Sequence, residues 1–307
     1  MPAGPGALYF IRPELSPEFG DEARQRGVRT HEIAPGIFSA GQDIPLYWVL
    51  DYWPQTERLA FTSIGDAAKK LRALGRRWAY AGGASFRRGQ LIAEALKAKK
   101  QKQQEFSPTA VHPPCAAFTL SHENELVYSL APLKGAFAGG KMIFAEDKKG
   151  PPSRAYLKLW EAATLSGVYP QAGEAVLDLG ATPGGWSYVA ATLGAQVTMI
   201  DRSPPDAGLL KKFPRLRFIA GDGLKPPRAE LEHAVVILSD MACEPAKLLP
   251  AVQSWITLPH VRAMICTLKF HGLSDKRVIA AFAAIAGAKI YHLWHNGHEL
   301  TWVWQRL

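Results

Sequence analysis

Seven short apolar runs mark the second half of this chain, at residues 175–179, 196–200, 217–220, 234–238, 263–268, 289–294 and 300–304. Each is four to six residues long and rich in β-branched or aromatic side chains, as buried strands are. Between them, longer stretches with apolar positions at helical spacing predict helices over 153–166, 186–193, 246–255 and 274–286. Ser153 and Ser274 stand where a helix cap is wanted. Strand-helix alternation predicts a mostly parallel seven-stranded sheet, an α/β Rossmann-like architecture. The last two runs flank His-Asn-Gly-His-Glu at 295–299, which predicts a closing hairpin and one antiparallel strand.

The first half is less regular. Strands are expected at 8–12, 36–40 and 46–53, and a helix starting at Ser16 with Pro17 in its first turn. Helices are expected over 64–73 and 90–104, and a hairpin from apolar runs at 115–121 and 126–130. This is an α+β pattern. Lys-Lys-Gly-Pro-Pro at 148–152 reads as a linker, dividing the chain into an N-terminal module, 1–147, and a second domain, 148–307. A length of 307 residues suits two domains.

The first strand of the second domain ends in a glycine-rich turn: residues 176–186 read Val-Leu-Asp-Leu-Gly-Ala-Thr-Pro-Gly-Gly-Trp. Glycines there let the backbone approach a ligand and adopt positive φ without steric cost. A doubly wound sheet builds its nucleotide site at this place. The dinucleotide fingerprint is not met, because Thr182 occupies the middle glycine's position. That disfavours phosphate cradling and an NAD-dependent oxidoreductase, and favours an adenosyl ligand without phosphates.

Polar residues end the following strands: Asp201, Asp222, Asp240 and Lys269. Asp201 lies about twenty residues beyond the glycine loop, where a carboxylate can take both ribose hydroxyls. Asp222 is placed to accept from an adenine amino group. Singly, such an Asp is an ordinary turn former, and a strand-end lysine an ordinary surface group. Three acids and a lysine along one ligand-binding edge point to a site.

Charge adds a second theme. The chain carries +9, and residues 69–102 alone hold eleven Lys or Arg against Glu94, a net +10. Such a block can grip phosphates or simply be a solvated face. Nearby Trp78, Tyr80 and Phe86 could stack on bases, although core packing would claim at least two of them. Cys115, Cys243 and Cys266 show no metal-ligand or disulfide spacing. With no apolar span and no signal-like start, a cytoplasmic protein without membrane or metal dependence is expected.

Pro-Ser-Arg-Ala-Tyr-Leu-Lys-Leu at 152–159, the glycine loop, Ser239-Asp240-Met241 and Leu268-Lys269 together resemble the FtsJ-type RNA 2′-O-methyltransferases. The finer resemblance is to the bacterial large-subunit (23S) rRNA cytidine 2′-O-methyltransferase M family. It rests on Glu-Pro-Ala-Lys at 244–247, Asp222-Gly-x-Lys225 and the His295-x-x-x-Glu299 segment. It implies an S-adenosylmethionine-dependent methyltransferase domain preceded by a ferredoxin-like, partly THUMP-like RNA-binding module. It also implies a catalytic tetrad of Lys158, Asp240, Lys269 and Glu299. The cofactor would be held by Asp178, Gly180, Ala181, Pro183, Gly184, Gly185, Trp186, Asp201, Asp222 and Asp240. The expected substrate is a cytidine of large-subunit rRNA, protein-free or in an assembling particle. Another RNA such as tRNA is the alternative substrate, and an inactive RNA-binding assembly factor the alternative function. The chain departs from the family pattern in Phe-His-Gly-Leu after Lys269 and in His298.

Overall fold

A computed structural model describes residues 6–75, 77–98, 103–110, 112 and 115–307. Of the basic run, Arg76, Lys99, Lys100 and Lys102 lie outside the described residues. The chain forms two compact units, one of Met1–Gln104 with Ala110–Ile143, the other of Glu105–Thr109 with Phe144–Leu307. The short segment joins the second unit through Phe106, whose ring stacks on Trp160 at 4.8 Å.

The first unit is a seven-stranded sheet with its helices inserted between strands. β1 (Gly6–Phe10) lies between β3 (Ile37–Ala40) and β4 (Asp51–Ala60), antiparallel to both, and β2 (Thr30–Ala34) forms the outer edge. Flanked on both sides, β1 is buried on both faces. Leu8 and Phe10 pack with Trp53, Ala117 and Val127, while Tyr9 meets Phe19 of α1 (Ser16–Gln25) at 5.6 Å. The remainder comprises α2 (Ile64–Leu74), β5 (Trp78–Gly83), α3 (Phe86–Leu96), β6 (Ala116–His122) and β7 (Glu125–Ser129). The order is β2-β3-β1-β4-β7-β6-β5.

β4 starts and ends later than the strand expected at 46–53. Residues before it form a loop because Tyr47 and Trp48 donate their backbone N–H groups to the buried Glu22 carboxylate. It continues past Pro54 because a bulge there, with Gln55 at φ 50°, absorbs the missing donor. β2 carries no apolar run that would have announced it, and the short apolar run of β5 ends in two glycines. β2 is a polar edge strand, and β5 is Trp-Ala-Tyr-Ala-Gly-Gly. α3 begins at Phe86 and stops at Leu96, rather than covering 90–104, because Lys97 closes it in the left-handed region at φ 54°.

In the second unit the strands are β8 (Ala175–Leu179), β9 (Gln196–Asp201), β10 (Arg217–Ala220), β11 (Val236–Ser239), β12 (Ala263–Lys269), β13 (Ala288–Tyr291) and β14 (Glu299–Gln305). Their order is β10-β9-β8-β11-β12-β14-β13. Pairings from β10 through β12 are parallel, and β14 is antiparallel to both of its neighbours. The order reverses between β8 and β11. That switch point opens a crevice at the carboxyl ends of the strands. Helices α4 (Tyr156–Ser166), α5 (Gly185–Thr192), α6 (Ala207–Lys212), α7 (Arg228–Leu231), α8 (Pro245–Trp255) and α9 (Lys276–Ala283) complete the unit. Ser153 does not cap α4, whose first residue follows Ala155 with no side-chain cap. Among the described residues no helix is long and apolar enough to cross a membrane.

Candidate active site

A cleft of about 420 Å³ occupies the crevice. Its floor is the β8–α5 turn. Gly180 sits at φ +71°, and a Cβ there would strike Met241. A Cβ on Gly223 would lie 2.6 Å from the Met241 sulfur. Two glycines thus admit one methionine, which forms the wall between them. Ala181, Thr182, Pro183, Gly185 and Trp186 line the same cleft. Gly184 does not line it: a Cβ at this φ 115° position would meet Leu209 of α6, so its role is packing.

Polar atoms converge on the cleft from both sides. Asp178, 1% exposed, takes the Ser187 hydroxyl at 2.6 Å on one oxygen, while its other oxygen has no partner among the described residues. Burial, reinforced by the nearby charges of Asp240 and Asp201, pushes this carboxyl up to about 7 against the Ser187 bonds. The Ser153 hydroxyl is likewise enclosed and unpartnered at the cleft. Asp201 accepts backbone N–H bonds from Thr182 at 3.0 Å and Ser203 at 2.9 Å, which tie the turn to the end of β9. Asp222 accepts from the Leu224 N–H at 3.0 Å and from Arg202 at 3.1 Å; these bonds hold its carboxyl below the usual range.

At the β11–β12 end of the cleft lies a charge cluster. α4 is apolar on nearly every face, yet it buries Lys158 and Glu161. Buried charges must be paired. Lys158 donates to Asp240 Oδ1 at 2.9 Å and to Glu299 Oε1 at 3.0 Å. Lys269 donates to the Asp240 carbonyl at 2.6 Å and stands 3.0 Å from Asp240 Oδ1. Lys269 and Glu299 are register partners across β12 and β14. Burial lowers the Lys158 pKa, but Asp240 and Glu299 outweigh it, so the ammonium is held above its ordinary value. All four residues singled out for chemistry are therefore in one connected cluster, and Lys269 and Asp240 also line the cleft.

Sequence reasoning passed over Ser153, Arg202, Met241 and Cys243 as cleft residues. Ser153 was legible only as a cap. Met241 had a usable signal in the two glycines, Gly180 and Gly223, at the ends of separate strands.

A glycine-floored cleft at the switch point, with acids at successive strand ends and a lysine–carboxylate cluster at one end, makes the second unit a Rossmann-like domain with a ligand site. Residues 151–284 match the family described as FtsJ-like methyltransferase. The chain is 36% identical over 122 residues to a ribosomal RNA large subunit methyltransferase E from Archaeoglobus fulgidus, covering 38% of this chain and 57% of that protein. It is 31% identical over 169 residues to a ribosomal RNA large subunit methyltransferase M from Proteus mirabilis, covering 49% and 45%. The chain thus spans about half the length of the curated relatives it matches. Among solved structures, a TehB-like SAM-dependent methyltransferase from Corynebacterium glutamicum is similar at a TM-score of 0.35 and 16% identity, over 53% of this chain and 90% of that one.

The residues present fit S-adenosylmethionine. An unpartnered buried carboxylate oxygen on Asp178 suits the cofactor's ammonium, and the enclosed Ser153 hydroxyl suits its carboxylate.

Proposed function

We propose that this chain methylates a ribose 2′-hydroxyl of RNA, using S-adenosylmethionine, and that the target is a cytidine of large-subunit rRNA in the cytoplasm. The observation that carries the reading is the Lys158–Asp240–Lys269–Glu299 cluster opening onto the cofactor cleft. The cofactor supplies an activated methyl group when bound. The protein must align a weakly nucleophilic hydroxyl with it.

Lys269 is the catalytic contact. It donates to the Asp240 carbonyl and stands 3.0 Å from Asp240 Oδ1, which holds its amino group at the cleft. Held so between a carboxylate and a carbonyl, it would orient the hydroxyl and stabilise the negative charge that develops on its oxygen as the proton is lost, while the methyl group leaves the cofactor's sulfur for that oxygen. The hydroxyl proton leaves to water. Lys158 neutralises Asp240 and Glu299 from behind. Asp178, Gly180, Ala181, Pro183, Gly185, Trp186, Asp201 and Asp222 serve the cofactor, with Gly184 in support.

The Asp178 carboxyl gives a pH signature. Near pH 7 the cofactor-free protein carries a partial proton there, and a cationic ammonium requires the ionised form. Binding should therefore release protons, and the cofactor Kd should rise as pH falls below about 7, by up to about tenfold per unit. Calorimetry in buffers of different ionisation enthalpy reads the proton count; pH-independent binding with no proton release would contradict this role.

The division into an RNA-binding module, 1–147, and a methyltransferase domain, 148–307, is part of the same reading. In the first unit Trp78 packs into the core, and Tyr80 stacks on Phe118 at 5.1 Å, while Phe86 stands 57% exposed. Phe86 is thus the ring able to stack on an unpaired base. Arg72 and Arg88 are engaged with Ala95 and Asn124, whereas Lys69, Arg77, Arg87 and Lys97 are exposed. Neutralising those four should lower the salt slope of RNA binding by about 3. An unchanged slope in filter binding would reduce the block to a solvated face.

The direct test is transfer of labelled methyl to protein-free large-subunit rRNA from cells lacking this protein, with the product nucleoside identified by mass. 2′-O-methylcytidine is the expected product. Tight cofactor binding with no incorporation would move the search to other RNAs or to assembling particles.

A further inference from the structure

Glu161 is the second buried charge of α4, one turn beyond Lys158, and is fully enclosed. Its carboxylate accepts from the backbone N–H of Trp294 at 2.8 Å and of His295 at 3.1 Å. It also faces His295 Nδ1 at 2.8 Å. With a carboxylate as partner, that nitrogen carries the proton. All three donors lie just upstream of Glu299, the acid that pairs with Lys158. Asn296 ties the rest of the segment, donating to the Glu299 carbonyl at 3.2 Å and to Thr301 Oγ1 at 3.1 Å. Both members of the Lys158–Glu299 pair are thus located from one carboxylate: Lys158 through one helical turn, Glu299 through a four-residue span. The apolar residues of α4 already pack the helix, so burial of a charge here serves a purpose other than core filling.

We infer that Glu161 and His295 are positioning residues, which hold the Glu299 carboxylate at bonding distance from Lys158 and so set the geometry of the catalytic cluster. The inference rests on the methyl-transfer reading above. Glu161→Gln keeps the volume but turns an amide NH₂ towards N–H donors. A displacement of Glu299 by about an ångström would lower kcat by about 100-fold, with the cofactor Kd unchanged because neither residue lines the cleft.

Three readouts decide it, on wild type, Glu161→Gln, Glu161→Asp and Lys269→Ala. These are methyl transfer to protein-free large-subunit rRNA, cofactor binding by calorimetry, and hydrogen exchange at the Trp294 and His295 amides. The expected result is faster exchange at those two amides, a large kcat loss at unchanged cofactor Kd, and partial recovery in Glu161→Asp. Should Glu161→Gln not fold, His295→Phe removes the ring bond while keeping both backbone bonds, and a kcat loss of about tenfold is expected. Wild-type kcat in Glu161→Gln despite faster exchange, or in a folded His295→Phe, overturns the inference and leaves the methyl-transfer reading standing. Full transfer by Lys269→Ala, or neither transfer nor cofactor binding by the wild type, overturns the reading itself and this assignment with it.

Discussion

Lys269→Ala is expected to lower methyl transfer by about 10²- to 10⁴-fold while S-adenosylmethionine still binds nearly as well as to the wild type. The split follows from where the side chain reaches. Lys269 touches Asp240 at the cluster end of the cleft, whereas the cofactor's proposed partners, Asp178, Asp201 and Asp222, sit on or after β8, β9 and β10. Removing it leaves Asp240 still paired with Lys158 at 2.9 Å, so the fold of the site survives. Calorimetric cofactor binding beside single-turnover transfer separates the two effects. Lost binding in the variant would move Lys269 from chemistry to cofactor support.

The largest stability effect is expected at Lys158. Lys158 and Glu299 are each 9% exposed, and Lys158 is bonded to both Glu299 and Asp240. Lys158→Met would leave two carboxylates facing each other without their shared cation. Breaking a buried pair in this way costs about 3–5 kcal/mol, a Tm shift of about 10 °C for a unit of this size. Adding Glu299→Gln to Lys158→Met should recover part of that stability and none of the activity. Thermal unfolding of both variants checks the claim, and a single variant as stable as the wild type would show that the cluster is far wetter than its burial indicates.

Much of the second unit was legible because its strands are short, apolar and separated by clear helical stretches. Gly180, Asp201, Asp222, Asp240 and Lys269 all fall where a strand-end reading puts them. Lys158 and Glu299 were another matter. Nothing in local pattern marks a lysine inside an apolar helix or an acid at a strand start, and only the resemblance joined residues 141 positions apart. Glu161 stayed hidden for the same reason: its partners, Trp294 and His295, are distant in sequence. In the first unit the misses were local. Pro54 hid the continuation of β4, which survives through the bulge at Gln55. β2 lacked any apolar signal because an edge strand facing water needs none.

The place of β14 has a consequence for how an active molecule comes into being. It is the last strand of its sheet in sequence, yet it lies between β12 and β13, and its first residue is Glu299. During synthesis every other strand of the sheet leaves the ribosome before it. Until β14 slots in, β12 and β13 have open edges and Lys158 has lost one of its two acids. The final strand therefore works as a keystone: a nascent chain can form the cleft early, but the complete Lys158–Asp240–Lys269–Glu299 cluster exists only once the sheet has closed.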